Sequence, residues 1–558
     1  MKSERIIITN AKVYTLAWDD PALDGTPANN APFQNGKWIA DAEAIVIEDN
    51  EILFVGTNSE ALSYKHEHTS IVDVQGSTVI PGLVDSHAHP YYFGEDLGKI
   101  DLTGISDKTV LLNTLKAKAG DVAEGEWVLG FGYDEGNLSV DKLPTKSELS
   151  EVFPNNPVFV IGTHGFTSIA NEKALELANI NAQTEAPVGG EIKKDENGDP
   201  NGIFVNNAAE LIEEILPTKT DEDYKEIALY GMKVLAESGY TAWHDAGTNS
   251  NYMRAFLTLE KENKAQLRVY TMIQATDTLL MQEWLAKGPV VNTRVMVSVN
   301  AVKAYYDASL GQRGALMIDD YSDKAGHRGV SGDDYGFDQD LVAQMMKKGF
   351  QVGIHAIGDA GNRDMLDFYA SVFEQNPSLK NNRYRIEHAQ VVHPDDFQKF
   401  KDLNLIVSME PPHMAEDMNW AEDRVGSERI KGAYAWRTFR EHEVPITFNS
   451  DLTGSDHNIF YGLYAAITRK NKNREPEGGW YAEQKLSAEE ALRAYTTWSA
   501  YAAFKEEVKG TIEVGKLADL TIMNIDVLNV GEQNPEALWD GQILGTIVNG
   551  KWVYSTFN

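Results

Sequence analysis

The sequence predicts an α/β protein: a TIM (β/α)8 barrel, a β-sandwich domain built from both termini, and an α+β insertion after barrel strand 1. Three patterns predict it. Through the middle of the chain, short apolar strand-like runs alternate with helix-length amphipathic segments, the rhythm of parallel strands joined by crossover helices. Both ends instead alternate apolar and polar residues between turn residues, as hairpin strands do. Between the first and second barrel strands lie residues 90–240, a stretch far longer than the roughly 30 residues of a βα unit.

The N-terminal strands read from "RIIITNAKVYTL", "AEAIVIEDNEILFVG" and "TSIVDVQGSTVI", and the C-terminal ones from "GTIEVGKLADLTIMNID" and "LGTIVNGKWVYS". These assign 1–80 and 505–558 to one composite sandwich domain. Barrel strands follow in "GLVDSHAH", "TAWHDAG", "LRVYTMIQA", "RVMVSVNAVKAYY", "FQVGIHAIGD", "YRIEHAQ", "NLIVSMEPPH" and "PITFNSD", the number that closes a TIM barrel. Helices such as "DEDYKEIALYGMKVLAESG" and "DQDLVAQMMKKG" repeat apolar residues every three or four positions and stop at Gly. The barrel therefore takes 81–100 and 216–504. The insertion, 101–215, mixes helix-like "PTKSELSEVF" and "NEKALELANI" with strand-like "PVFVIGT" and the turn "KDENGDPNG", and is expected to act as a lid.

A chain of 558 residues exceeds what one hydrophobic core organises. Its 84 acidic and 50 basic side chains leave a net charge of −34, which repels nucleic acid and anionic membranes and excludes both as expected partners. With no cysteine, disulfides, thiolate ligands and Cys nucleophiles are excluded, and any metal must be held by nitrogen and oxygen. No long apolar run or signal-peptide pattern occurs, so a cytoplasmic protein is expected. Nothing resembles a phosphate cradle or a Gly-x-Ser-x-Gly elbow.

Barrel active sites form at the C-terminal ends of the strands. Strand one ends in His87 and His89, strand four carries Lys303, strand five ends in His355, strand six in His388 and strand eight in Asp451. In His-x-His on a strand both imidazoles face the same way, because side chains alternate with period two. His66 and His68 share that spacing but lie in polar "ALSYKHEHTS", without strand pattern, and read as a solvated turn. Four histidines and an aspartate at strand ends point to a metal: Zn²⁺ first, with Mn²⁺, Fe²⁺ or Co²⁺ as alternatives. A lysine beside a cation makes sense only when neutral or modified; burial depresses its pKa, and a neutral amine captures CO₂ to give an anionic carbamate on Lys303. The alternative is a salt bridge from Lys303 to Asp307.

This constellation resembles the amidohydrolase superfamily, specifically its YtcJ-like branch, which includes N-substituted formamide deformylases. The segments that carry the resemblance include "VIPGLVDSHAHP", "GFGYDEGNL", "VKAYYDASLGQRGALM", "GFQVGIHAIGDAGNR", "RIEHAQ", "SMEPPHMAED" and "NSDLTGSDHNIFYGLYAAITR", in order over nearly the whole chain. It implies a binuclear centre with His87 and His89 on the more buried metal, His355 and His388 on the more exposed one, carboxylated Lys303 as bridge, and Asp451 as ligand and general base. The sequence departs from the family pattern at Ala308, where Gly is common, at Glu410, where Gln is common, and at Asn449, where Gly is common.

The expected activity is hydrolysis of an amide, N-acyl or N-formyl C–N bond in a small molecule by a metal-activated hydroxide. Asp451 takes its proton, and His388, if only one metal is present, polarises the carbonyl. Tyr133, His164, Glu410, His413 and Arg429 are the expected substrate contacts, with Arg429 alternatively paired to Glu410. His244, Asp245 and Asp359 are expected to orient ligands, and His393 and His442 to lie on the surface. Two rival readings are a deaminase of an aminated heterocycle and a catalytically inactive barrel scaffold. Paired barrels are common in the resembling family, so a homodimer is expected.

Overall fold

The computed structural model describes residues 5–557 apart from 121, 134–137, 139–141, 163–166, 188, 291 and 333–335. The chain divides into two compact units, Met1–Tyr92 with Tyr224–Asn558, and Phe93–Asp223.

The larger unit is organised by an eight-stranded parallel sheet. Its strands are β1 (Leu83–Ala88), β2 (Tyr240–Thr248), β3 (Arg268–Gln274), β4 (Val297–Tyr305), β5 (Gln351–Ala356), β6 (Arg385–His388), β7 (Ile406–Met409) and β8 (Ile446–Phe448), paired in that order. The ring is drawn shut between β8 and β1: Ser86 Oγ donates to Phe448 O at 2.9 Å, Asp451 N to His87 O at 3.0 Å, and His89 N to Leu452 O at 2.7 Å. This is a TIM barrel. Its strands are buried almost throughout, as parallel strands with helices outside must be. The helix Gln339–Lys348 shows how its cover is specified. Asp338 accepts the N–H of Leu341 at the start, Leu341, Val342, Met345 and Met346 form the buried face, and Gly349 at φ +106° supplies the left-handed stop.

Both chain ends meet beneath this barrel. One sheet runs Glu51–Gly56, Ala44–Glu48, Arg5–Thr9, Thr69–Asp73; the other runs Lys12–Val13, Thr78–Pro81, Leu520–Met523, Ile543–Val548, Lys551–Ser555. Ile8, Ile45, Ile47 and Ile52 of the first share one core with Val79, Leu520, Ile522 and Ile547 of the second. Each such buried side chain contributes about 1.5–3 kcal/mol. Thr78–Pro81 runs into β1 through Gly82, whose N–H donates to Asp519 O at 2.9 Å, and Leu83 N donates to Thr521 Oγ1 at 3.2 Å, so the C-terminal residues help fix where the first metal-competent strand begins.

The smaller unit holds a six-stranded mixed sheet in the order Ile100–Asp101, Val128–Tyr133, Val158–Gly162, Thr167–Ala170, Pro200–Asn206, Gly190–Lys194. Its helices Lys108–Ala119 and Lys146–Val152 start at Asp107 and at a Thr145/Glu148 capping box. They bury Leu111, Leu115 and Leu149 against Val128, Val158, Val160 and Ile169. No helix among the described residues is long and apolar enough to cross a membrane.

Candidate metal centre

The site grows from the seam between β1 and β8. His87 and His89, two residues apart, place their rings 5.5 Å from each other. Asp85, earlier on β1 and fully buried, accepts Ser450 Oγ at 2.6 Å and the backbone N–H groups of Ser450 and His87 at 3.2 and 3.3 Å. It thereby ties the loop after β8 to the histidine strand. Asp451, at φ +47°, consequently brings Oδ1 to 3.5 Å from Nε2 of both His87 and His89. Burial raises the Asp451 pKa, but a hydrogen bond from His89 and the charges of His388 and His413 outweigh it and hold the carboxyl far below the ordinary range.

Behind this pair stands β6. Arg385 and Glu387, alternate residues on one strand, are both fully buried. His87 Nδ1–H donates to Glu387 Oε2 at 2.6 Å. Arg385 donates to Glu387 Oε2 at 2.9 Å with its Nε 2.7 Å from Oε1, and also donates to Ser86 O at 2.7 Å and His244 Nδ1 at 2.8 Å. Glu387 fits only because residue 353 is Gly; a Cβ there would lie 2.5 Å from Oε1. With Glu387 fixing the tautomer, burial keeps His87 neutral and its Nε2 lone pair free toward Asp451.

β6 ends in left-handed backbone, φ +74° at His388 and +42° at Ala389, which turns the His388 ring to 4.9 Å from His87 and 4.4 Å from His355. His355 Nε2 lies 3.6 Å from Asp307 Oδ1. Backbone N–H groups of Leu316, Ile357 and Gly358 hold that carboxylate at 2.8–2.9 Å, although burial pushes its pKa up to about 7. Lys303, 1% exposed, makes no salt bridge with Asp307; its Nζ lies 4.3 Å from the Tyr305 ring centroid. Burial brings its pKa down to about 8 against the pull of Glu387, Asp451 and Glu410.

The last wall comes from the loop after β7. Glu410, 3% exposed, places Oε1 3.2 Å from His388 Nδ1 and Oε2 3.4 Å from His413 Nδ1, and accepts Asn449 Nδ2 at 2.8 Å. Burial raises its pKa, but these two imidazoles bring it down to about 2; the same contact lifts His413 to about 9 against burial. Donor atoms of His87, His89 and Asp451 lie within 4.8 Å of one another, and so do those of His388, His413 and Asp451. Nitrogen and carboxylate donors converging this closely fit a divalent ion.

The sequence profile of the amidohydrolase family matches residues 70–554. The chain belongs to this family. It is 28% identical to the protein YtcJ of Bacillus subtilis over 92% of this chain and 96% of the relative. It is 26% identical to the N-substituted formamide deformylase of Arthrobacter pascens over 91% and 94%. A solved metal-dependent hydrolase from Pyrococcus horikoshii superposes with a TM-score of 0.72 at 25% identity, covering 95% of this chain and 99% of that one. The protein is thus a metal-dependent hydrolase of the amidohydrolase class.

In this amidohydrolase the structure brings His87, His89, His355, His388, Lys303 and Asp451 to one end of the barrel, with Glu410 and His413 beside them. Tyr133 instead lies wholly buried in the core of the smaller unit, its hydroxyl 2.7 Å from Thr167 Oγ1. His164 falls outside the described residues. Arg429 does not pair with Glu410; it donates to Asp319 O, Asp320 O and Ser322 Oγ and clamps that loop. Asp359 braces the same region through Ile318 N, while Asp307 is the carboxylate that faces His355. Asp85, Arg385 and Glu387 are functional residues that the histidine pattern does not single out. Their signal was present: charges at alternate positions inside apolar strands, "VDSH" and "RIEH", have nowhere to go but the barrel interior.

Proposed function

We propose that this amidohydrolase cleaves an amide-type C–N bond, of the N-acyl or N-formyl class, with Asp451 as general base. The observation that carries the reading is the position of Asp451, whose carboxylate lies 3.5 Å from two imidazole nitrogens and 3.8 Å from a third, that of His413. His87, His89, Lys303, His355, His388 and Asp451 would hold one or two ions, Zn²⁺ before Mn²⁺, Fe²⁺ or Co²⁺. When bound, such an ion lowers the pKa of water toward ~7 and withdraws charge from a carbonyl oxygen. Asp451 takes the proton of the attacking water on its carboxylate and returns it to the departing amine nitrogen. His388, between His87 and His355, stabilises the carbonyl oxygen if a single ion is held. Lys303, with a neutral fraction favoured by burial, would add CO₂, an N–C bond forming as a proton leaves, and the resulting carbamate would supply a negatively charged ligand oxygen.

The deformylase relative supports placing N-formyl compounds first among substrates. The test is hydrolysis of N-formyl, N-acyl and cyclic amides by Zn²⁺-loaded protein, with Asp451→Asn as control. Turnover of at least one amide, lost in the control and after chelation, is expected. Ammonia release from aminated heterocycles without amide turnover would establish the deaminase reading instead. Turnover unchanged by chelation would reject the metal-dependent mechanism.

A further inference from the structure

We propose that His413 is an additional metal ligand, forming with His388 and Asp451 a second ion subsite whose two imidazoles are held by the single carboxylate Glu410. The proposal rests on the metal-dependent reading above and extends it by one ligand, drawn from the loop after β7.

The inference starts from a repeated geometry. His87 sets Nδ1 against Glu387 at 2.6 Å and turns Nε2 to Asp451 Oδ1 at 3.5 Å. His413 repeats the orientation at longer range on a different element, with Nδ1 3.4 Å from Glu410 Oε2 and Nε2 3.8 Å from Asp451 Oδ2. A carboxylate behind one ring nitrogen orients the ring and aims the other nitrogen at a cation, which takes the place of that nitrogen's proton. Glu410 faces two rings at once, since its other oxygen lies 3.2 Å from His388 Nδ1.

The supporting frame is rigid. Glu410 immediately precedes the helix Pro411–Asp417, whose two leading prolines restrict the backbone, and His413 follows Glu410 by three positions, on the same side of the first turn. Asn449 joins this loop to the next. Its Nδ2 donates to Glu410 Oε1 at 2.8 Å and its Oδ1 accepts Asp451 N at 2.9 Å, so Glu410 and Asp451 share one hydrogen-bonded scaffold, with His388 and His413 against Glu410. One donor atom from each of His388, His413 and Asp451 lies within 4.8 Å of the other two. Glu410 and Asn449 are therefore in direct contact behind His413. A substrate contact alone would need neither a carboxylate behind the ring nor a nitrogen turned to Asp451.

The experiment titrates metal-free protein with Co²⁺, reading stoichiometry by equilibrium dialysis and coordination by visible absorption, for the wild type, His413→Ala, His413→Gln and Glu410→Gln. The wild type is expected to bind two equivalents and both His413 variants one. Glu410→Gln is expected to keep two, with the weaker equivalent bound about 10–100-fold less tightly. Melting of the metal-free proteins checks the fold; if the His413 variants do not fold, the affinity of Glu410→Gln decides. The proposal is overturned if wild type binds metal and the His413 variants keep its stoichiometry and affinities, even with a raised KM, or if Glu410→Gln binds like wild type. A wild type that takes up no metal would reject the parent reading as well, a distinguishable result.

Discussion

Two walls of the site present the same unit, an imidazole backed by a carboxylate, and build it differently. On the inner wall His87, Glu387 and Arg385 are at most 1% exposed, and all three lie on barrel strands. On the outer wall His413 and Asp451 keep side-chain exposures of 17% and 22%, and Glu410, His413 and Asn449 sit on segments that follow β7 and β8. Strand register fixes the inner unit, so its geometry is set when the barrel closes. The outer unit is set by loops, where Glu410 and Asn449 lie. An enzyme of this design can change its outer wall while its inner one stays constant.

The largest expected effect falls where both walls meet. Asp451→Asn should lower kcat by about 10²- to 10⁴-fold, the usual worth of a positioned general base, with the far-ultraviolet circular dichroism unchanged. Retained turnover would remove Asp451 from the mechanism and leave the two walls without a common catalytic element. Glu387→Gln comes next. It strands Arg385 as an uncompensated buried charge, so a loss of about 3–5 kcal/mol is expected in urea unfolding of the metal-free protein. The matching change on the outer wall, Glu410→Gln, abandons no buried guanidinium and should cost about 1 kcal/mol. Equal losses would erase the distinction between strand-built and loop-built walls. Gly353→Ala probes the inner wall without touching a charge. The added Cβ would press within 2.5 Å of Glu387 Oε1 and 2.6 Å of Met272 Cε. Overpacking of about 1–3 kcal/mol is expected, and a neutral result would mean that Glu387 has room to move.

The same contrast governs what the sequence discloses. The barrel is readable because each strand is a short apolar run and a closed parallel sheet needs eight of them. The inner ligands are readable because period-two alternation in "VDSHAH" sets His87 and His89 on one face. Glu387 and Arg385 obey the same rule, yet draw less notice than histidines. The contacts of Glu410, Asn449 and His413 follow no local period. They arise when the segments after β7 and β8 are brought side by side by closure, so residues 39 positions apart meet. Tyr133 shows the opposite limit. A motif tyrosine on a strand reads equally well as a site residue or a core residue, and its burial against Leu111 and Val158 is a property of the assembled sheet.

The smallest expected effect belongs to the second His-x-His. His66 and His68 match the spacing of His87 and His89, but their rings lie 6.3 Å apart in a turn, where His66 Nδ1 accepts the backbone N–H of His68 at 3.1 Å. That bond occupies a lone pair an ion would need. The His68 side chain is 43% exposed and its carboxylate neighbour Glu67 is 77% exposed and 3.9 Å away, so water competes for any cation. His66→Ala with His68→Ala should therefore leave bound Co²⁺ stoichiometry and turnover at wild-type values and shift stability by no more than about 0.5 kcal/mol. Loss of metal in that double variant would show that spacing alone, without a buried strand and a carboxylate behind the ring, suffices to hold an ion in this chain.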